Sequence, residues 1–207
     1  SCFVEEYNHV KNRATCCTIL KFNNKCAYAT ASDIVTDSCL IVNEIDLSVG
    51  SISAYPLFKY CMFRKATVWK YNGVVIPITY GTDINNYMDD VLTSLAAYAT
   101  ANNLTYLTGL VANSFYVDSV KGQTNKVIDD SIYPIFNKYK ADGTVLDYTL
   151  SANSTNRALT SGNPANLLPI VGCYRANISG QNTTNPMTFD DIINVNSDGT
   201  DDLVTPP

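Results

Sequence analysis

The sequence predicts an α+β fold, mainly antiparallel sheet, with one prominent amphipathic helix over 83–102 packed across it. Three observations carry this. The stretch DINNYMDDVLTSLAAYATAN places Ile84, Tyr87, Met88, Val91, Leu92, Leu95, Ala96 and Ala99 at steps of three and four, one apolar stripe on a helix. The composition is skewed away from helix elsewhere: 16 Asp stand against 3 Glu, with 22 Asn and 36 Ser plus Thr, residues that favour turns and strands. Lastly, Asn72-Gly73 separates two apolar runs, and this pair readily takes the positive φ angles of a type I′ hairpin turn.

Taken in order, residues 1–46 alternate short apolar runs (Cys16–Phe22, Cys26–Thr30, Cys39–Val42) with the turn residues Asn23, Asn24 and Asp37. Around Gly50, Asp46–Tyr55 alternates imperfectly, which suggests a bend. In the hairpin Ala66–Tyr80, Thr67, Trp69 and Tyr71 face one side, Val68 and Lys70 the other. Pro77 cannot donate to a ladder, so its strand lies at an edge or ends there. Asp83 is the N-cap of the helix, and Asn102 and Asn103 suit its exit. Leu104–Ala112 and Ser114–Val120 read as strands. Lys126–Tyr139 suits either a short helix broken at Pro134 or strands, and a second hairpin turns at Asp142-Gly143. Ser151–Asn166 is a polar loop long enough for a binding excursion, and Leu167–Tyr174 is a buried strand candidate. No internal repeat and no linker is evident, so residues 1–207 are expected to form a single domain. It would carry a Cys-rich subregion over 1–61 and an acidic tail over 196–207.

The net charge of −5 is unevenly spread. No acid falls between Asp46 and Asp83, and no base follows Arg175. Such polarity suits head-to-tail association, or simply two solvated faces. Of the seven cysteines (Cys2, Cys16, Cys17, Cys26, Cys39, Cys61, Cys173) six crowd into the first 61 residues, without a CxxC pair. Disulfide staples and buried free thiols both fit that pattern. Sequons at Asn103, Asn153, Asn177 and Asn182 are about as many as the Asn and Ser/Thr content gives by chance, so they carry no weight. No run is long and apolar enough to span a membrane, and no charged leader opens the sequence.

Two stretches are candidate sites. Asn194, Asn196, Asp198 and Asp202, set around Gly199, resemble a calcium loop, because hard Ca²⁺ needs several oxygens aimed inward by a sharp turn. The pattern lacks the bidentate Glu of that type, and an Asx-rich turn before a tail is the plainer alternative. Ca²⁺ is thus the one cofactor the sequence suggests. In the second stretch Lys59, Arg64, Lys65, Trp69 and Lys70 interleave with Tyr55, Phe58, Tyr60, Phe63 and Tyr71. Cations beside rings are what a single-stranded nucleic acid needs, but a half-buried hairpin gives the same alternation, and the acidic chain makes nucleic acid an unexpected partner. Catalysis finds little support: His9 is the sole histidine, and no hydrolase, P-loop or dinucleotide motif occurs.

The expectation is therefore a non-enzymatic structural or assembly protein, such as a subunit of a virion, phage particle or extracellular filament. Its partners would be further copies of itself or other structural proteins. The alternative is a secreted or surface module recognising glycan or protein, with calcium assisting. A cysteine-dependent enzyme using His9 ranks third.

Overall fold

The computed structural model describes residues 12–23, 34–48, 55–116, 124–153, 155–166 and 170–172. Its frame is a stack of strand–corner–strand units. Strand β1 (Asn12–Thr15) turns into β2 (Thr18–Asn23), β3 (Ile34–Asp37) into β4 (Leu40–Asp46), and β5 (Leu57–Lys59) into β6 (Met62–Arg64). At each corner one non-glycine residue takes positive φ: Cys16 (52°), Ser38 (55°) and Tyr60 (52°). That conformation crowds Cβ against the backbone, so three occurrences at the same place in successive units mark a shared geometry.

The units stack in parallel. Asn12 pairs with Ile34, Val35 with Leu57, Thr18 with Leu40 and Leu40 with Met62. Each pairing advances by 22 residues, the separation of Cys17 from Cys39. Backbone bonds hold the corners in step: the Cys16 N–H donates to Asp37 O and the Ser38 N–H to Lys59 O, both at 3.0 Å. Strand β9 (Lys126–Ile128) adds a fourth rung beside β6, Met62 against Lys126, 64 residues further on. This in-register stacking is solenoid-like in that each unit is hydrogen-bonded to the next.

The chain between the third and fourth rungs leaves the stack. After a turn at Lys65–Ala66 it forms β7 (Val68–Tyr71), which continues beside β4 with Glu44 against Val68. The Thr67 hydroxyl secures that turn, accepting the Arg64 N–H and lying within hydrogen-bond reach of Ile41 O and Val42 O. Strand β8 (Val74–Val75) folds back antiparallel through Asn72 (φ 50°) and Gly73 (φ 81°), the expected hairpin. A 3-10 turn at Ile84–Asn86 then leads into α1 (Tyr87–Ala101); Asp83 accepts the Asn85 N–H and so caps that turn, whereas α1 itself starts after Asn86, whose side chain makes no cap hydrogen bond. Tyr87, Met88, Val91, Leu92, Leu95 and Ala99 are buried, as the stripe requires, whereas Ala96 is exposed.

Helix α2 (Thr105–Asn113) follows, where the sequence suggested a strand. The β-branched and aromatic residues of LTYLTGLVA favour sheet, but Leu107 and Leu110, three apart, bury against the core beside α1. Packing overrides intrinsic preference here. At its exit Ser114 O accepts the Phe58 N–H at 2.7 Å, and Asn125 Nδ2 donates to Phe58 O and Phe115 O. The region after α2 thus covers the edge of β5 away from β3.

Beyond the fourth rung, β10 (Phe136–Tyr139) and β11 (Val145–Leu150) form the second expected hairpin, so the ambiguous Lys126–Tyr139 stretch is strand at both ends. It packs Phe136, Val145 and Leu150 on the face of β4 and β6 that carries Leu40, Val42 and Met62. The opposite face carries Ile41, Ile45, Phe63 and Trp69 toward α1, α2 and Phe115. Sheet covered on both faces is what parallel strands require.

Two expectations need correction. The sheet is mixed, not mainly antiparallel: β7–β8 and β10–β11 are the antiparallel pairs, and the other pairings among the described residues are parallel. The short apolar runs imitate hairpin arms, but the residues between them turn the chain into a neighbouring sheet and do not reverse it. There is also an internal repeat. Its visible trace is Cys17, Cys39 and Cys61, evenly spaced, each following the positive-φ corner residue.

Candidate functional site

The cations and Trp69 of the second candidate stretch fall on β5, β6, β7 and the turn between the last two, and the fold gives each a partner inside the chain. Arg64 ends β6 and is nearly buried, its side chain 7% exposed like that of Asp130, whose Oδ2 lies 2.6 Å from Arg64 Nε. Arg64 Nη2 donates to Gly143 O at 3.0 Å, and the guanidinium lies over the Tyr139 ring at 5.9 Å. One side chain thereby ties the third rung, the turn after β9 and the tip of the second hairpin.

Lys65, the next residue, points toward α1. Its Nζ lies 2.8 Å from Asp129 Oδ2 and 3.2 Å from the Tyr87 hydroxyl, over the rings of Tyr87 and Tyr80. The Asp129 and Tyr87 hydrogen bonds raise the Lys65 pKa above its ordinary value. Burial opposes ionisation of Asp129, but hydrogen bonds from Lys65 and Ser131 together outweigh it and hold that carboxyl below the usual carboxylate value. Burial pushes the Tyr80 hydroxyl up to about 12, partly opposed by the Trp69 indole N–H and Lys65. Trp69 Nε1 still lacks a hydrogen-bond partner of good geometry.

Lys70 pairs with Glu44 at 2.6 Å and Lys59 with Asp37 at 3.3 Å. Trp69 is buried against Phe63 and Phe115, so its face is unavailable to a base. Lys59, Arg64, Lys65, Trp69 and Lys70 are thus not gathered into one binding face. The acids lie far away in sequence, at Asp129 and Asp130 above all, which is why the stretch looked unpaired.

A second polar cluster sits at the coil corners. Asp37 is fully buried and receives hydrogen bonds from the Ser38 hydroxyl (2.9 Å) and Asn163 Nδ2 (3.1 Å) besides the Lys59 ion pair. The Ser38 hydroxyl in turn accepts the Asn163 N–H and Asn166 Nδ2, and the Gly172 N–H donates to Ser38 O. These contacts fasten the polar stretch 151–166 to the stack. Asn156 does the same from within, donating to Ile135 O and Ser151 O. The described part of this stretch is therefore anchored rather than held out as an excursion.

The thiols form a third feature. Cys17, Cys39, Cys61 and then Asn125 occupy one position on successive rungs, the Cys17 N–H donating to Cys39 Sγ at 3.4 Å and the Cys61 N–H to Asn125 Oδ1 at 3.0 Å. Among the described residues Cys16, Cys17, Cys39 and Cys61 are not joined in disulfides. Burial pushes Cys61 up to about 12. Hydrogen bonding with the Cys17 thiol, together with burial, raises Cys39 well above the ordinary thiol value. Both stay protonated at neutral pH, and a protonated thiol is a poor nucleophile. His9 and the calcium-loop residues Asn194, Asn196, Asp198 and Asp202 lie outside the described residues. Among the described residues no group of three or more His, Cys, Asp or Glu could hold a metal, and no helix is long and apolar enough to cross a membrane. No family model, curated protein or solved structure matches the chain.

Proposed function

We propose that this chain is a non-enzymatic structural module that assembles with copies of itself or with other structural proteins, as in a virion, phage particle or extracellular filament. The observation that carries this reading is the parallel stack in register, whose ionic groups, thiols and polar corners are engaged in holding coils together. Stacked repeats present extended binding surfaces. Because Lys59, Arg64, Lys65 and Lys70 pair within the chain, this reading does not rely on them for charge pairing between subunits. Apolar burial takes its place. Edge strand β8 exposes Val74 (56%) and Val75 (55%), with Val68 exposed on the neighbouring β7. Edge strands with uncovered apolar side chains promote pairing between molecules.

Molar mass by light scattering across a wide concentration range tests the reading. The expected result is a mass that climbs with concentration and falls back when Val74 and Val75 are both replaced by Lys. A protein monomeric throughout, in both oxidising and reducing buffer, would refute it.

A further inference from the structure

Asn72-Gly73 is the sole Asn-Gly pair in the chain, and it forms the exposed turn between β7 and β8. Both residues hold positive φ, and nothing lies within 4 Å of the point where a Gly73 Cβ would stand. A carboxylate is bonded to the peptide nitrogen of this turn: the Gly73 N–H donates to Asp46 Oδ2 at 2.9 Å. Asp46 is itself buried, with its other oxygen 2.6 Å from the Ser48 hydroxyl, so its placement is fixed from behind. The other described turn of this kind differs on that point. At Asp142-Gly143 the glycine N–H donates to the Lys140 carbonyl, which is no base.

We propose that Asn72 is a site of spontaneous deamidation for which Asp46 is the built-in general base. Asp46 takes the Gly73 amide proton as that nitrogen forms a bond to Asn72 Cγ. The Cγ–Nδ2 bond then breaks, the proton passes from Asp46 to the leaving nitrogen, and ammonia departs, leaving a five-membered succinimide. Water opens the ring at either carbonyl, giving aspartate or isoaspartate at position 72. No oxidant, metal or second protein is needed. A steric opening at the glycine lets the ring form, and the hydrogen bond already points the proton at its acceptor. The product adds a negative charge to the turn, and the isoaspartate form adds a methylene to its backbone.

The test is timed incubation of the whole chain at neutral pH, with peptide mapping of position 72. Asn72→Gln confirms the assignment by removing the product. Asp46→Asn is expected to slow formation about a hundredfold, the low end of what a positioned base contributes. In the unmodified chain the rate should rise less steeply than in proportion to hydroxide, because the proton is taken by a group of the protein and not by hydroxide. That profile needs no variant, so it decides the matter if Asp46→Asn fails to fold. A folded Asp46→Asn protein that deamidates as fast or faster would show that the hydrogen bond restrains the turn, and would overturn the proposal. A rate strictly proportional to hydroxide would also overturn it.

Discussion

Removing the Asp130 carboxylate should be among the most damaging single changes to this fold. Arg64 and Asp130 are each 7% exposed, so neither charge is substantially screened by water. Asp130→Ala leaves the guanidinium in place with its Gly143 hydrogen bond but without the Nε partner. A buried pair broken on one side costs about 3–5 kcal/mol, and the surviving Gly143 bond puts the expected loss near the lower figure. Replacing both groups, Arg64→Met with Asp130→Leu, should recover most of it, because the desolvation of both charges goes too. The neighbouring pair is the control: the Lys65 side chain is 35% exposed, and Lys65→Met should cost about 1 kcal/mol or less. Urea denaturation of the three variants supplies the numbers. If Asp130→Ala costs no more than Lys65→Met, the buried tie between the third rung and the second hairpin is not as described.

Leu95 is fully buried on α1, and Leu95→Ala should cost about 2–5 kcal/mol by the same assay. The hydroxyl and ring edge of Tyr55 occupy the place of a Gly109 Cβ, so Gly109→Ala must displace that ring or the helix; a loss of about 1–3 kcal/mol is expected by the same assay. Asp129 titrates below its ordinary value in the fold, so its contribution is full above about pH 4 and is lost as pH falls through the depressed pKa. Acid titration of stability should therefore be shallower in Lys65→Met. Lys65, raised by the same contacts, contributes below its ordinary value and loses that contribution at strongly alkaline pH.

What could be read from the sequence was what local chemistry decides. The α1 stripe, the Asp83 cap, the Asn72-Gly73 turn and the faces of Thr67, Trp69 and Tyr71 each depend on neighbours a few residues away. Parallel stacking depends on partners 22 residues apart, and neither a strand propensity nor a turn residue reports direction. Cys17, Cys39 and Cys61 did report it, but among seven cysteines their even spacing was hidden by Cys16 and Cys26. The corners were masked further because positive φ falls on Cys16, Ser38 and Tyr60, none of them glycine. The basic stretch misled for a similar reason: Asp129 and Asp130, the partners of Lys65 and Arg64, lie on the far side of the helical excursion. Helix α2 was missed because its residues prefer sheet and only packing makes them helical.

Parallel rungs, the first three advancing by 22 residues, are the core of this fold, and interstrand nuclear Overhauser contacts in solution test them most directly. Stacked coils should link Thr18 to Leu40, Leu40 to Met62 and Met62 to Lys126 in that order, with the amide of Leu40 near Cys17 and that of Met62 near Cys39. Strong Hα–Hα contacts across these segments, the mark of antiparallel neighbours, would contradict that arrangement.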